Sequence, residues 1–136
     1  MSEQEDHPQL REKVVLVTGA SRGIGAAAAT RLGKSGASVI INYHQNREAA
    51  QEVLAEIQGA GGRGMVFQAD VTRQDQVELM VQAARKKYRS IDVLVNNAYF
   101  PFQVASCTSC RGTTFTAPSS MSFWLFIIAF RLVCRI

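Results

Sequence analysis

A glycine-rich turn between an apolar run and an alanine-rich stretch constrains the fold of this chain more than any other feature. The turn, Thr18–Gly25, follows Val14–Val17 and leads into Ala26–Ala29. Its first glycine, Gly19, permits a sharp turn because glycine adopts positive φ without steric cost. Gly23 has no side chain to hold a ligand away from the backbone, and the third glycine lets a helix pack close to the strand. The order predicts a phosphate-binding corner, with an ordinary strand–helix corner as the alternative.

Four apolar runs alternate with three helical patterns along the first 98 residues. This alternation predicts an α/β fold of the Rossmann type, a doubly wound parallel sheet with strand order 3-2-1-4 and three helices. We expect the sheet to be truncated after its fourth strand. The predicted strands are Val14–Val17, Ser38–Ile41, Met65–Ala69 and Val93–Asn96.

Each predicted helix has sequence signals at its ends. The first follows the glycine turn and ends near Gly33 or Gly36, and the second runs from about Arg47 to Gln58 before a glycine-rich stop. Thr72 is the predicted N-cap of the third helix. The apolar stripe of the second helix is Ala50, Val53, Leu54 and Ile57, and that of the third is Val77, Met80, Val81 and Ala84.

The composition changes abruptly after residue 98. All eleven acidic residues lie at or before Asp92, whereas all three cysteines, the single Trp and six of the seven Phe lie beyond residue 98. We therefore divide the chain into a polar leader (1–13), a partial dinucleotide-binding domain (14–98) and a divergent Ser/Thr- and aromatic-rich tail (99–136). We expect residues 99–120 to form a loop and the tail to lie outside the fold.

Charge and residue usage argue against several classes of partner. The net charge is +4, but no basic stripe with interleaved aromatics indicates a nucleic-acid surface. The uncharged run Phe123–Phe130 has eight residues, far fewer than the roughly 20 of a membrane span. Cys107, Cys110 and Cys134 lack a fourth ligand, so no metal site is expected. The polar N-terminus, with no cysteine before Cys107, favours the cytoplasm.

Three motifs in this order resemble the short-chain dehydrogenase/reductase family over about residues 10–98. They are the turn Thr18–Gly25, Asp70-Val71 after the third strand, and Asn96-Asn97-Ala98 after the fourth. The segment 42–50 is similar to that of 3-oxoacyl-carrier-protein reductases. The resemblance implies an oxidoreductase that uses a nicotinamide dinucleotide to transfer hydride between a small carbonyl substrate and its alcohol in the intact parent protein.

The resemblance also implies which residues bind the dinucleotide. Asp70 is expected to accept a hydrogen bond from the adenine amino group, with the Val71 backbone beside it. Asn97 and Ala98 are expected to line the ribose and nicotinamide. The candidate cofactor-binding residues are Thr18, Gly19, Ser21, Arg22, Gly23, Ile24, Gly25, Asn42, Tyr43, Asp70, Val71, Asn97 and Ala98.

Charge near the second strand favours NADP(H) over NAD(H). NAD-binding proteins of this fold place an acidic residue at the end of that strand to accept from the ribose 2′-hydroxyl. This chain has Asn42-Tyr43 there, with no carboxylate to repel a 2′-phosphate. Arg22 in the turn can pair with that phosphate through charge-assisted hydrogen bonds, unless it is simply a solvated surface arginine.

Two departures from the family pattern bear on activity. Tyr99 stands where the family has Gly after Asn-Asn-Ala, and the family's Ser and Tyr-x-x-x-Lys are missing. The residues four positions after Tyr43, Tyr88 and Tyr99 are Arg47, Asp92 and Gln103. We therefore expect no catalytic residue, no activity from this chain alone, none of the family's oligomer contacts, and marginal stability.

Three functional hypotheses remain open at this point. The first is an NADP(H)-dependent oxidoreductase by descent. The second is a non-catalytic product, truncated or shifted in reading frame after residue 98, that binds nucleotide weakly. The third is a membrane-attached or interaction protein that acts through its apolar tail.

Overall fold

The structure is a computed structural model, and it describes residues 8–99. The predictions about residues 1–7 and about the tail from residue 100 onward, including its loop, its apolar run and its cysteines, lie outside the described residues. A short 3-10 helix, Pro8–Leu10, precedes the first strand.

Strands and helices alternate through the described region as predicted. The strands form one parallel sheet in the order β3-β2-β1-β4, which confirms the predicted topology. The elements are β1 (Val14–Val17), α1 (Gly23–Lys34), β2 (Ser38–Tyr43), α2 (Arg47–Gly59), β3 (Arg63–Gln68), α3 (Gln74–Tyr88) and β4 (Val93–Val95).

The second and third strands differ from their predicted bounds because they pair with each other along their whole length. The register runs from Ser38 opposite Arg63 to Tyr43 opposite Gln68. β2 is thus two residues longer than its apolar run, and β3 begins two residues earlier than predicted, with the exposed Arg63. Pairing with a neighbouring strand, which hydrophobicity alone does not report, determines these ends.

Alternate residues of the central strands enter two separate cores, one on each face of the sheet. Val15 and Val17 of β1 pack with residues of α1 and α2, whereas Val14 and Leu16 pack with α3. The predicted stripe of α3 is confirmed, since all four of its residues are buried. β1 and β2 are buried on both faces, which explains their nearly continuous apolar sequences.

The fourth strand forms one edge of the described sheet and is more exposed than the central strands. Val93 is 38% exposed, and β4 pairs with β1 from Val15 opposite Val93 to Val17 opposite Val95. Within residues 8–99, no helix combines the length and the hydropathy that crossing a bilayer requires.

Candidate functional site

The carboxyl ends of all four strands meet at one edge of the sheet, and most of the candidate residues lie there. The glycine turn follows β1, Asp70 and Val71 follow β3, and Asn97 and Ala98 follow β4. Ligands of open α/β sheets bind outside this edge, where strand order reverses. In this sheet the reversal lies at β1, between β2 and β4.

The turn after β1 is held in place by the segment that follows β4. The Thr18 hydroxyl donates to the Val95 carbonyl at 3.3 Å and accepts from the backbone N–H groups of Asn97 (3.0 Å) and Ala98 (3.1 Å). The Asn97 side-chain amide donates to the carbonyls of Thr18 (3.0 Å) and Gly19 (3.1 Å). The hydrogen bonds of Thr18 and Asn97 therefore fix the glycine turn against the segment that follows β4.

Glycine is required at two positions of the turn for different reasons. Gly19 has φ +62°, and a Cβ there would lie 2.9 Å from the Ala98 Cα. A Cβ on Gly25 would overlap the side-chain nitrogen of Asn97 and lie 2.7 Å from the Gly19 carbonyl oxygen. Gly23, at φ +59°, has no atom within 4 Å of a built Cβ, so its face of the turn is open among the described residues.

The N-terminus of α1 differs from those of the other two described helices. Its N-cap, Arg22, makes no side-chain capping hydrogen bond, and its first turn contains no acidic residue. In α2 the Asn46 side chain accepts from the Ala49 N–H, and Glu48 lies in the first turn. In α3 Asp75 occupies the first turn. Only α1, among these three, leaves its positive end without a polar cap or a carboxylate.

Two side chains near this N-terminus extend into solvent. Ile24, the second residue of α1, is 83% exposed, and Arg22 is also exposed. Within residues 8–99 the Arg22 guanidinium has no carboxylate partner, so its charge is available to an anion at the turn.

Asn42 and Tyr43, at the end of β2, are buried. The Asn42 side chain is 2% exposed; its Oδ1 accepts from the Gly19 N–H at 3.2 Å, and its Nδ2 donates to the Ala69 carbonyl at 3.0 Å. Tyr43 is 4% exposed within the core under α2, and its carbonyl accepts from the Ala69 N–H. Both residues therefore hold backbone groups at the carboxyl edge of the sheet while their own side chains are buried.

The carboxylate of Asp70 is oriented by its own loop. Its Oδ1 accepts from the Thr72 hydroxyl at 2.6 Å and from the Thr72 N–H at 2.9 Å, and its backbone N–H donates to Gln76 Oε1 at 2.7 Å. The hydrogen bond from the Thr72 side chain lowers the pKa of Asp70 below its ordinary value, although partial desolvation opposes this. Oδ2 lies 3.8 Å from His44 Nε2, in a side chain that is 59% exposed.

The predicted capping role of Thr72 is wrong. α3 begins at Gln74 with Arg73 as its N-cap, and the Thr72 hydroxyl turns back to Asp70. The reason is local competition, because an Asp two residues upstream offers an acceptor that closes a tight turn before the helix starts. The spacing Asp-x-Thr was the signal that could have identified Thr72 as a partner of Asp70.

The remaining candidates lie along the rim of the same edge. Val71 is 6% exposed, Ala98 is partly buried, and Ser21 is partly buried in the turn. Tyr99, in place of the family's Gly, is 75% exposed. Within residues 8–99, no three His, Cys, Asp or Glu side chains are grouped as a metal site would require.

The described edge fits a dinucleotide in its chemistry. The open glycine face and uncapped end of α1 suit a diphosphate. The ionised carboxylate of Asp70 suits a donor such as an exocyclic amine. The Arg22 guanidinium suits an additional phosphate.

Comparison with known proteins agrees with this geometry. A family model described as short chain dehydrogenase matches residues 13–111. The 3-oxoacyl-[acyl-carrier-protein] reductase of a Synechocystis strain is 47% identical over 89 residues, which cover 65% of this chain and 36% of the reductase. This chain thus spans about a third of the length of that relative.

Solved structures show the same fold. A double mutant of a Serratia marcescens short-chain dehydrogenase/reductase superposes with a TM-score of 0.77 at 30% identity, covering 95% of this chain and 52% of that one. A Burkholderia cenocepacia dehydrogenase with bound NADP has a TM-score of 0.61 at 33% identity, covering 64% of this chain and 34% of that one.

Proposed function

This chain belongs to the short chain dehydrogenase family, and on that premise we propose that it binds a nicotinamide dinucleotide and prefers NADP(H) to NAD(H). The observation that carries the proposal is the N-terminus of α1. It is open at Gly23 and has neither a side-chain cap nor an acidic residue in its first turn. A diphosphate at this position accepts from first-turn N–H groups and interacts favourably with the helix dipole.

The adenine end of the dinucleotide is assigned to the loop after β3. Asp70 Oδ1 is occupied by two hydrogen bonds from Thr72, so Oδ2 is the oxygen left to accept from an adenine amino group. The Thr72 hydrogen bond lowers the pKa of Asp70, so the carboxylate is ionised at neutral pH, and an ionised acceptor forms a charge-assisted hydrogen bond.

Preference for the 2′-phosphate follows from charge at the end of β2. Neither Asn42 nor Tyr43 carries a carboxylate, and both are buried. Arg22 is exposed in the adjoining turn, where it can form charge-assisted hydrogen bonds to a phosphate. The Burkholderia dehydrogenase with bound NADP shows that a protein of similar fold accommodates this cofactor.

We propose further that this chain alone binds the cofactor without transferring hydride. The family reaction combines a hydride from the dinucleotide with a proton from a tyrosine whose pKa is lowered by a nearby lysine. The sequence contains no Tyr-x-x-x-Lys, and the tyrosine at the end of β2, Tyr43, is 4% exposed. The hydride-transfer chemistry is therefore assigned to family members that carry this tyrosine–lysine pair.

Titration with NADPH and NADH, followed by calorimetry on chain shown to be folded by circular dichroism, tests the binding proposal. We expect NADPH to bind more tightly, and Arg22→Ala to weaken NADPH about tenfold with little effect on NADH. Arg63→Ala is the matched control, because Arg63 is also exposed but begins β3, away from the carboxyl ends of the strands. Equal affinity for both nucleotides would overturn the preference, and no binding of either would overturn the proposal.

The second part of the proposal is tested by following NADPH oxidation at 340 nm with a 3-oxoacyl thioester and with simple ketones. We expect no rate above buffer. Turnover that depends on the chain and disappears with Gly25→Ala would overturn the assignment of a binding role without catalysis.

A further inference from the structure

Asn42 is a buried polar residue at the end of β2, and its side chain bonds to backbone groups of two different loops. Its side chain is 2% exposed, and a buried amide must be hydrogen-bonded to avoid a desolvation penalty. Its oxygen accepts from the Gly19 N–H at 3.2 Å, and its nitrogen donates to the Ala69 carbonyl at 3.0 Å. Gly19 lies in the turn after β1 and Ala69 directly follows β3, the two strands on either side of β2.

These partners belong to the two halves of the proposed cofactor site. Gly19 begins the phosphate turn, and Ala69 immediately precedes Asp70, the proposed adenine acceptor. The backbone carbonyl of Asn42 also accepts from the Ala20 N–H at 2.8 Å. One residue therefore holds two successive amides of the turn and the carbonyl next to the Asp70 loop.

The chemistry of these contacts requires a side chain with one donor and one acceptor. Reversing the amide would place its NH₂ against the Gly19 N–H and its oxygen against the Ala69 carbonyl, so only one orientation is satisfied. An ionised aspartate would set a negative oxygen against the Ala69 carbonyl. An alanine would leave both backbone groups without this partner.

We propose that Asn42 is a positioning residue that holds the phosphate turn and the Asp70 loop at the separation a single dinucleotide needs. The inference rests on the proposed function, because it assigns the two subsites to one ligand. A ligand that spans both subsites depends on their separation, whereas a fragment that occupies one subsite does not.

Binding of one whole ligand and two fragments tests the role. NADPH spans both subsites, adenosine probes the Asp70 side, and inorganic pyrophosphate probes the turn. We expect Asn42→Ala to weaken NADPH roughly tenfold to a hundredfold, and each fragment by no more than about twofold, in nuclear magnetic resonance titrations. Ile57→Val is the control for general destabilisation, because Ile57 packs against Gly33 and Gly62 away from the carboxyl edge; it should leave all three affinities unchanged.

A second variant adds a readout that lost stability alone does not produce. In Asn42→Asp, protonation of the carboxyl group restores a donor toward the Ala69 carbonyl while the other oxygen still accepts from Gly19. The NADPH affinity divided by the product of the two fragment affinities measures how well the two subsites are placed for one ligand. For Asn42→Asp we expect this ratio to rise as the pH falls from 8 to 5.5. In the wild-type chain the same ratio should change much less.

A measurement on the wild-type chain keeps the test independent of whether the variants fold. The side-chain amide protons of Asn42 should exchange slowly with solvent, and their resonances should shift when either fragment is added. Rapid exchange, or no shift with either fragment, would overturn the role. If wild-type chain binds NADPH but Asn42→Ala weakens whole ligand and fragments in equal proportion, only the positioning role fails. If wild-type chain binds no NADPH, the proposed function fails with it.

Discussion

The first two strand–helix corners of this molecule have the same topology but opposite chemistry at the start of the helix. In the corner before α2, the Asn46 side chain accepts from the Ala49 N–H, and Glu48 supplies a negative charge in the first turn. In the corner before α1, the N-cap makes no such bond and the first turn has no acidic residue. The comparison teaches that a chain can complete a helix end by itself or leave it for a ligand to complete.

Substitution of Gly25, the third glycine of the corner before α1, has the largest expected effect on NADPH binding. Gly25→Ala forces its Cβ onto Asn97 and the Gly19 carbonyl, so the turn must shift. We expect NADPH affinity to fall at least about a hundredfold and the free energy of unfolding to fall by roughly 1–3 kcal/mol. Calorimetry and urea unfolding measure the two quantities.

The control for that substitution lies in α2. A Cβ on Gly59, the last residue of α2, meets no described atom within 4 Å. Gly59→Ala should leave NADPH affinity unchanged and stabilise the chain by up to about 1 kcal/mol. Equal binding by the two variants would mean that the close packing at Gly25 is not needed for the ligand.

Adding an acidic residue to the first turn of α1 gives the two corners the same charge at the start of the helix. Ile24 and Glu48 are each the second residue of their helix, and Ile24 is 83% exposed. We expect Ile24→Glu to stabilise the folded chain by about 0.3–1 kcal/mol through the helix dipole. The same charge should weaken NADPH binding at least fivefold or so, by repulsion of the phosphates.

The neutral variant Ile24→Gln separates charge from shape, and it should change both quantities much less. Opposite changes in stability and affinity are the signature of an anion site at α1. If Ile24→Glu improved or preserved NADPH binding, the comparison between the corners would be wrong.

Removing the cap of α2 should affect stability without affecting the ligand. Asn46→Ala loses the hydrogen bond to the Ala49 N–H, so we expect the free energy of unfolding to fall by about 1 kcal/mol. NADPH affinity should stay within about twofold. Asn46→Asp retains a capping oxygen and should unfold close to wild type in urea; a loss equal to that of alanine would show that the cap contributes little.

The smallest expected effect depends on pH at the Asp70 loop. The folded pKa of Asp70 is lowered chiefly by the Thr72 side chain. Ionised Asp70 therefore stabilises the fold at pH above its unfolded pKa of about 3.9, and this contribution is lost as pH falls through the lower folded value. Thr72→Val should lower the free energy of unfolding by roughly 0.5 kcal/mol at pH 7, and this loss should become smaller at lower pH.

Urea unfolding between pH 2.5 and 7 measures this difference, with Thr72→Ser as the variant that keeps the hydroxyl. A cost of Thr72→Val that stays constant across the range would show that the Asp70 carboxylate is not its origin.

Local patterns were sufficient to predict the order of elements and the buried face of α3. Period and spacing report which residues a helix buries, as Val77 and Met80 illustrate. The strand order followed from the alternation of strands and helices together with the handedness of their connections. These features depend on short stretches of chain or on general rules.

Features that depend on distant partners were not predictable in the same way. The burial of Asn42 becomes evident only when β1 and β3 lie on either side of β2. The Thr72 prediction failed for a local reason: the hydroxyl and the backbone N–H of Thr72 both donate to the Asp70 carboxylate, and this closes a turn before α3 begins at Gln74.

The Thr18–Asn97 contact has a consequence for the timing of assembly. The two residues are 79 positions apart, yet the hydroxyl of one accepts from the backbone of the other. A nascent chain leaves the ribosome from its N-terminus, so the glycine-rich corner emerges early and waits for β4 before its geometry is complete. We therefore expect the corner to reach its final geometry only after β4 has been synthesised, although most of its residues precede β4 by more than 60 positions.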